Sequence, residues 1–394
     1  MTLLATVALC VLAVPALGAC LYLLVLTLLS NALPLPPPPP RRLRFDIIVP
    51  AHNEAESIAR VIASLLKIDW PRDGYRVNVV ADNCTDATAT IARAAGARVL
   101  VRHNADQRGK GYALEFAFAT VRREGWSDAV VVVDADSEVS ANVLEAFAAR
   151  IEEGASAVQA HYGVLNPEAS WRTRLMTIAQ AAFHTIRSRA RERLKVSCGL
   201  RGNGWCVTHK LLEQVPYRAF SLTEDLEYGI DLGLAGQRVR FAGEAHCDGE
   251  MVTNGTVAGT QRQRWESGRY QLMRSRTLPL LAAAWRRRDR VCLDLALDLL
   301  LLPLSYVALA VVGFAVAAAL AVLWQPAFIV WGWLAAGCCA TLVYYVLRGW
   351  QLSGTGLRGL ADLIMAPIYL IWKVLVVVNR PRSQGWVRTT REKS

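Results

Sequence analysis

Residues 3–29, LLATVALCVLAVPALGACLYLLVLTLL, contain no charged side chain. The run exceeds the roughly 20 residues that an α-helix needs to cross a bilayer. A cleaved signal peptide has a basic start and a shorter apolar stretch, and this run has neither. LGAC at 17–20 looks faintly like a lipoprotein cleavage box, but the apolar stretch continues past Cys20. Residues 1–30 are therefore expected to persist as a membrane anchor. Arg41, Arg42 and Arg44 follow, and positive charge stays on the cytoplasmic side, so the chain beyond is expected in the cytosol. Between them lies PLPPPPP, 34–40. Consecutive prolines lack amide donors and favour a stiff polyproline II rod. Residues 31–44 thus read as a proline-rich, basic spacer.

The far end is apolar again. Residues 293–324 carry only Asp294 and Asp298 as charges, and 326–347 carry none. WRRRDR (285–290) precedes the pair and Arg348 follows it, whereas the WQP link is uncharged. This predicts a helical hairpin over 291–348 with both ends in the cytosol. A third apolar piece, 360–378, has arginines at both flanks and Lys373 inside. It reads as an interfacial or re-entrant helix within 349–394, ahead of a basic cytosolic tail.

The chain is 53% hydrophobic with a formal charge of +11. The basic residues cluster beside the apolar segments, where anionic headgroups attract them. Nucleic-acid binding would need a recognisable module, and none is present. The nine cysteines show no CxxC pair and no Cys/His finger spacing, which predicts free thiols and no zinc site.

Residues 45–290 alternate short apolar runs with helical patterns. Strands are expected at 45–50, 76–81, 97–101 and 129–133. Helices are expected near 54–67, 86–95, 110–122 and 141–152. That alternation implies an α/β domain, a mostly parallel sheet with helices on both faces. Ligands of such sheets bind beyond the carboxyl ends of the strands. The residues found there are Asn53 and Glu54, then Asp82, Asn83 and Asp86, then RGKGYAL (108–114) with Lys110, then Asp134 and Asp136. Any one could cap a helix, and that reading suits Asp86 and Ser137. It suits Asp134 and Asp136 poorly: residues i and i+2 of an extended chain point the same way, and two carboxylates together call for a cation. A hard divalent ion with nucleotide phosphates is the natural partner.

In this order VPAHNE, ADNCTD, RGKG, DADS, TED (223–225) and QRQRW (261–265) resemble the family 2 glycosyltransferases of GT-A fold, which include cellulose, chitin and hyaluronan synthases and ceramide glucosyltransferase. The resemblance covers roughly 45–275. It implies that Asp82 bonds the uracil of a UDP-sugar beside the loop bearing Asn53 and Glu54, with Asn83 adjacent. Lys110 would lie near the nucleotide, and Asp134 and Asp136 would hold the donor with Mg2+ or Mn2+. The family's general base is the Asp of the TED motif, here Asp225; Glu224 is the alternative. Acids in a first helical turn also favour the helix dipole. Gln261 and Arg264 would grip diphosphate oxygens, and Trp265 would offer a flat face to the acceptor. SCGLRGNGWCV (197–207) stands where relatives carry an acceptor-side loop. Gly202 and Gly204 there suggest close backbone approach. His161 and His246 could each ligate a metal, although a lone His is more often structural. The sequon at 254–256 has no meaning for a cytosolic domain.

The resemblance implies a multi-pass enzyme of the inner (plasma) membrane that inverts the anomeric centre of a UDP-sugar. Its acceptor would be a lipid or lipid-linked glycan at the cytosolic face, in exopolysaccharide or glycolipid synthesis. A processive synthase, with partner proteins for glycan export, shares the active site. It needs several helices around a polar lumen, and only three spans are expected here. A catalytically dead nucleotide-sugar-binding regulator is opposed by the intact acidic set. A transporter is opposed by the placement of that set outside the membrane.

Overall fold

The computed structural model describes residues 2–251, 255–369 and 371, with residues 255–264 as backbone only. Eight strands form one sheet in the order β3-β2-β1-β4-β7-β6-β8-β5. They are β1 Phe45–Ala51, β2 Tyr75–Asp82, β3 Arg98–Arg102, β4 Ala129–Val132, β5 Ser137–Val139, β6 Ala157–Val164, β7 Trp205–Thr208 and β8 Val239–Gly249. The β3-β2-β1-β4 half is parallel throughout. β7 then enters antiparallel between β4 and β6, and β5 closes the far edge antiparallel to β8, while β6 and β8 run parallel. The four strands expected from sequence are the parallel half; the other half makes the sheet mixed.

Strand residues 45–49 are all buried, as expected of a strand covered on both faces. Alternate side chains divide between two cores. Ile47, Val49, Val79 and Val131 meet helix α2, Ile58–Leu65, and helix α5, Val143–Glu152. Ile48, Val80, Val130 and Val132 meet α4, Lys110–Glu124, and α9, Glu224–Leu234. Each such fully buried Val or Leu contributes roughly 1.5–3 kcal/mol, so the sheet is held from both sides. The remaining domain helices are α3 Thr88–Ala94, α6 Trp171–Gln180, α7 Arg187–Arg193 and α8 His209–Gln214, with a π-helical turn at Ala181–Ile186 joining α6 to α7.

Among the described residues three helices are long and apolar enough to cross a membrane: α1 Thr2–Leu28, α12 Leu304–Trp324 and the segment Pro326–Ser353, most of which is α13 Ile329–Ser353. α1 buries Leu9, Ala13, Ala16, Cys20 and Leu23, a 3–4 residue stripe, in one cluster with residues of α12, α13 and Ile186 and Ala190 of the domain. The start of the spacer is tied down. Arg193 donates to the carbonyls of Asn31 and Ala32 at 3.3 and 3.0 Å, and Arg348 donates to Ser30 Oγ at 3.0 Å.

One boundary differs from the sequence reading. Residues 293–324 do not form a single span. α10, Gly255–Arg287, leads into a separate helix α11, Arg290–Leu300, and α12 begins only after Pro303. α11 buries Cys292, Leu295, Ala296 and Leu299 in a cluster with Ile230 of α9 and Leu272 and Leu280 of α10. Asp294 and Asp298 lie on that buried side, and ion pairs with α7 explain the split: two carboxylates are tolerated there because arginines meet them. Beyond α13 a short helix α14, Gly356–Asp362, is tied to α6 through Arg174 Nε–Asp362 Oδ2 at 2.5 Å. Residues 372–394, with the second part of the expected interfacial helix and the basic tail, lie outside the described residues.

Candidate active site

The carboxyl ends of β1, β2 and β4 deliver the expected acidic set to one edge of the sheet. Asn53 and Asn83 both adopt left-handed backbone, φ 58° and 50°, which Asn tolerates through local hydrogen bonds. Asn53 Oδ1 accepts from Thr85 N at 2.7 Å, and Thr88 Oγ1 accepts from Glu54 N at 2.8 Å. These bonds stitch the loops after β1 and β2 together. Asp86 belongs to the same stitching: it accepts from Ala55 N at 3.2 Å and Thr88 N at 3.0 Å.

Asp82 is buried and its Oδ1 accepts from Arg102 at 2.7 Å and from Asn83 Nδ2 at 3.1 Å. Arg102 was not singled out from the sequence. It ends β3 directly beside Asp82 in the parallel register, so strand adjacency was the signal that could have found it.

β4 stops at Val132, and Asp134 and Asp136 sit in the turn that opens β5, closed by Ser137 N to Asp134 O at 3.2 Å. The pair therefore converges through a turn rather than through extended chain, and Ser137 is a strand residue rather than a helix cap. Buried Asn203 organises this turn. Its Oδ1 accepts from Asp134 N at 2.9 Å, and its Nδ2 donates to Ser137 Oγ at 2.5 Å. Ser137 Oγ in turn donates to Asp136 Oδ1 at 3.2 Å. The two carboxylates are close enough to matter to their neighbours. After burial, Asp136 and Asp134 are the strongest influences pushing the Tyr162 phenol well above its ordinary range.

Lys110 joins the Asp134 turn to the TED segment. Its Nζ lies 2.7 Å from Asp134 Oδ1 and 3.2 Å from Glu224 Oε1, and donates to the Gly202 carbonyl at 2.6 Å. Burial opposes its charge, but Asp134 and Glu224 outweigh burial and raise its pKa. Asp225 stands in the first turn of α9, with its Oδ2 3.7 Å from where a Cβ on Gly202 would be. Burial first and Glu224 second push its carboxyl up to about 6, against the pull of Lys110. Thr223 precedes the helix without making a side-chain cap bond, and Glu224, Asp225 and Glu227 occupy its first turn, where carboxylates also favour the helix dipole.

Gly204, φ 67°, carries the backbone close to β8: a Cβ there would stand 2.5 Å from Cys247 Cβ. The close approach expected of this loop is present. Trp265 is half-buried in α10; Gln261 and Arg264 lie on the same helix, but their side chains are outside what is described.

His161 and His246 come together across the β6–β8 bulge, with ring centroids 4.8 Å apart. Burial, then His246, hold His161 down to about 3, so its imidazole is neutral. Among the described residues no group of three or more His, Cys, Asp or Glu is placed to cage a metal ion. The available oxygen donors are the two carboxylates, Asp134 and Asp136, at the carboxyl edge of the sheet. They fit a hard cation that completes its shell with water and diphosphate oxygens, not an all-protein cage. All nine cysteines are unpaired.

A mixed sheet covered by helices, with acidic residues gathered at its carboxyl edge, is the GT-A architecture. Residues 40–268 match the family described as glycosyltransferase like family 2, and the chain belongs to it. It is 27% identical over 374 residues to the beta-monoglucosyldiacylglycerol synthase of Synechocystis sp. (strain ATCC 27184 / PCC 6803 / Kazusa), covering 87% of this chain and 74% of that one. It is 25% identical over 262 residues to the probable glycosyltransferase YdaM of Bacillus subtilis (strain 168), covering 64% of this chain but only 60% of that protein. In structure it is similar to the mannosyltransferase PcManGT from Pyrobaculum calidifontis, solved with GDP-Man and Mn2+. The TM-score is 0.52 at 21% identity, over 86% of this chain and 98% of that one, a likeness of fold.

Proposed function

We propose that this chain is a membrane-bound, inverting glycosyltransferase of the inner membrane. Its catalytic domain, residues 45–290, faces the cytoplasm and moves a sugar from a UDP-sugar to a lipid or lipid-linked glycan. The observation that carries the reading is the position of Lys110: one ammonium spans the donor-side Asp134 and the Glu224–Asp225 pair, so donor and base stand on either side of it. Similarity to a glycolipid synthase over most of both chains, and apolar helices packed against the domain, support a lipid acceptor.

Asp82, fixed by Arg102, accepts the uracil N3–H. Asn53 and Glu54 line the base, and Lys110, Gln261 and Arg264 meet the diphosphate. Asp134 and Asp136 would hold Mg2+ or Mn2+, which when bound neutralises charge on the departing diphosphate. Asp225 takes the proton of the acceptor hydroxyl. The acceptor oxygen forms a bond to the anomeric carbon as the bond from that carbon to the diphosphate breaks, UDP leaves, and one displacement inverts the centre. Trp265 supplies an apolar face for the acceptor.

The test uses inverted vesicles containing the chain, a panel of radiolabelled UDP-sugars with Mn2+ or Mg2+, and Asp225→Asn as the blank. Label in the organic phase is expected. Label in high-mass aqueous material that a glycosidase digests would favour the processive alternative and direct attention to an export partner. No transfer from any UDP-sugar would contradict the proposal.

A further inference from the structure

The structure carries a buried charge network between the active site and the candidate spans. Asp298 on α11 is 3% exposed. Its Oδ1 meets Arg191 at 2.7 Å and Arg187 at 3.1 Å, and its Oδ2 meets Arg201 at 3.4 Å. Arg269 of α10 donates to the Asp298 and Leu301 carbonyls. Arg191 also pairs with Asp294 at 2.9 Å. The network reaches two apolar helices: Arg191 donates to Tyr22 of α1 at 2.7 Å, and Arg187 donates to Tyr345 of α13 at 3.1 Å.

In the other direction it reaches the base. Arg201 directly precedes Gly202, whose carbonyl receives Lys110 Nζ at 2.6 Å and whose Cα faces Asp225. Gln159 holds this loop from the sheet side, accepting from Arg201 N at 2.9 Å and donating to Asn203 O at 2.7 Å. Asp298 holds it from the membrane side. We infer that Asp298, acting through Arg201, is a positioning residue for the acceptor side of the site: it sets the Gly202 backbone against Lys110 and Asp225, and it ties that setting to the seating of α1 and α13. The inference rests on the function proposed above.

The physics of buried charge supports a fixed geometry. Desolvated ion pairs are repaid only when the partners are held in place. Three arginines meet two carboxylates here and a fourth, Arg269, adds its charge at the Asp298 and Leu301 carbonyls, so loss of the Asp298 carboxylate leaves like charges to separate. Arg187 and Arg191 are held in α7 and Arg269 in α10. Arg201 lies on irregular chain, so the loop is what moves. Misplacement by about 1 Å at a reacting centre costs up to about 10²-fold in rate.

The test compares the full chain with Arg201→Gln, Arg201→Lys and Asp298→Asn. UDP binding with Mn2+ is measured by calorimetry. Transfer is measured with the donor and acceptor that the wild type uses, and slow donor hydrolysis is followed without acceptor. For Arg201→Gln the expected result is UDP affinity within about twofold, hydrolysis retained, and kcat/KM for the acceptor lower by about tenfold or more. Arg201→Lys should recover part of the loss. If Asp298→Asn fails to fold, Arg201→Gln still decides, because Arg187 and Arg191 keep the carboxylate paired. Wild-type transfer in Arg201→Gln would overturn the inference. So would UDP affinity and transfer falling together with the folded fraction, which marks a structural role only. A wild-type chain that binds no UDP and transfers no sugar would instead overturn the proposed function.

Discussion

Asp225 combines the conditions a general base needs. It is buried, it sits beside Glu224, and Lys110 limits how far its pKa climbs. A base works only when deprotonated, and this carboxyl is held up to about 6. kcat/KM for transfer should therefore fall about tenfold per pH unit below that value and level off above about 7. A profile measured from pH 4.5 to 8.5 checks this; a flat acid limb would place the base elsewhere. The acids were legible residue by residue because their spacing survives in one dimension. Their partners were not. Arg102 reaches Asp82 through strand adjacency, and Asn203 reaches Asp134 from 69 residues away.

At the scale of elements, the parallel half of the sheet could be read because each strand is a continuous apolar run buried on both faces. β5 and β7 have three and four residues and sit inside glycine- and serine-bearing loops, too short for periodicity to register. The break between α11 and α12 was hidden for another reason. Asp294 and Asp298 look like exceptions in an apolar run until Arg187 and Arg191, about a hundred residues upstream, are folded against them. Within the sheet the pairing of β1 with β2 rests partly on Asp46. It is fully buried and accepts from Arg76 at 2.9 and 2.8 Å, Asn78 at 2.8 Å and Ser127 at 2.7 Å. Asp46→Ala removes every acceptor at once and should cost about 3 kcal/mol, at the low end for a buried pair because Arg76 is partly exposed. A thermal melt of the purified full chain carrying Asp46→Ala against wild type reads it; an unchanged midpoint would deny Asp46 that role.

For the whole molecule, α1, α12 and α13 pack on one another and on the π-turn and α7, which seats the apolar helices directly on the domain. The proposed topology, argued from the positive-inside rule, has the N-terminus outside, the domain inside and the α12–α13 link outside. Single cysteines at Gln325→Cys and Ser383→Cys, in a background lacking native cysteines, should label from outside and inside respectively. Labelling of both from one side would overturn the topology. Sequence alone supplied the signs of the loops; it could not supply the seat of the domain, because Tyr22, Tyr345 and the arginines that receive them are far apart in the chain.

The most direct test of the central claim separates donor handling from proton transfer. Asp225→Asn and Asp136→Asn are compared with wild type for UDP-sugar binding in Mn2+ and for sugar transfer to the vesicle acceptor. The account predicts that Asp225→Asn binds donor like wild type yet transfers at least about a hundredfold more slowly, whereas Asp136→Asn loses metal-dependent donor turnover. Normal transfer by Asp225→Asn would remove the base from this site, and unchanged activity in Asp136→Asn would remove the metal from the carboxylate turn.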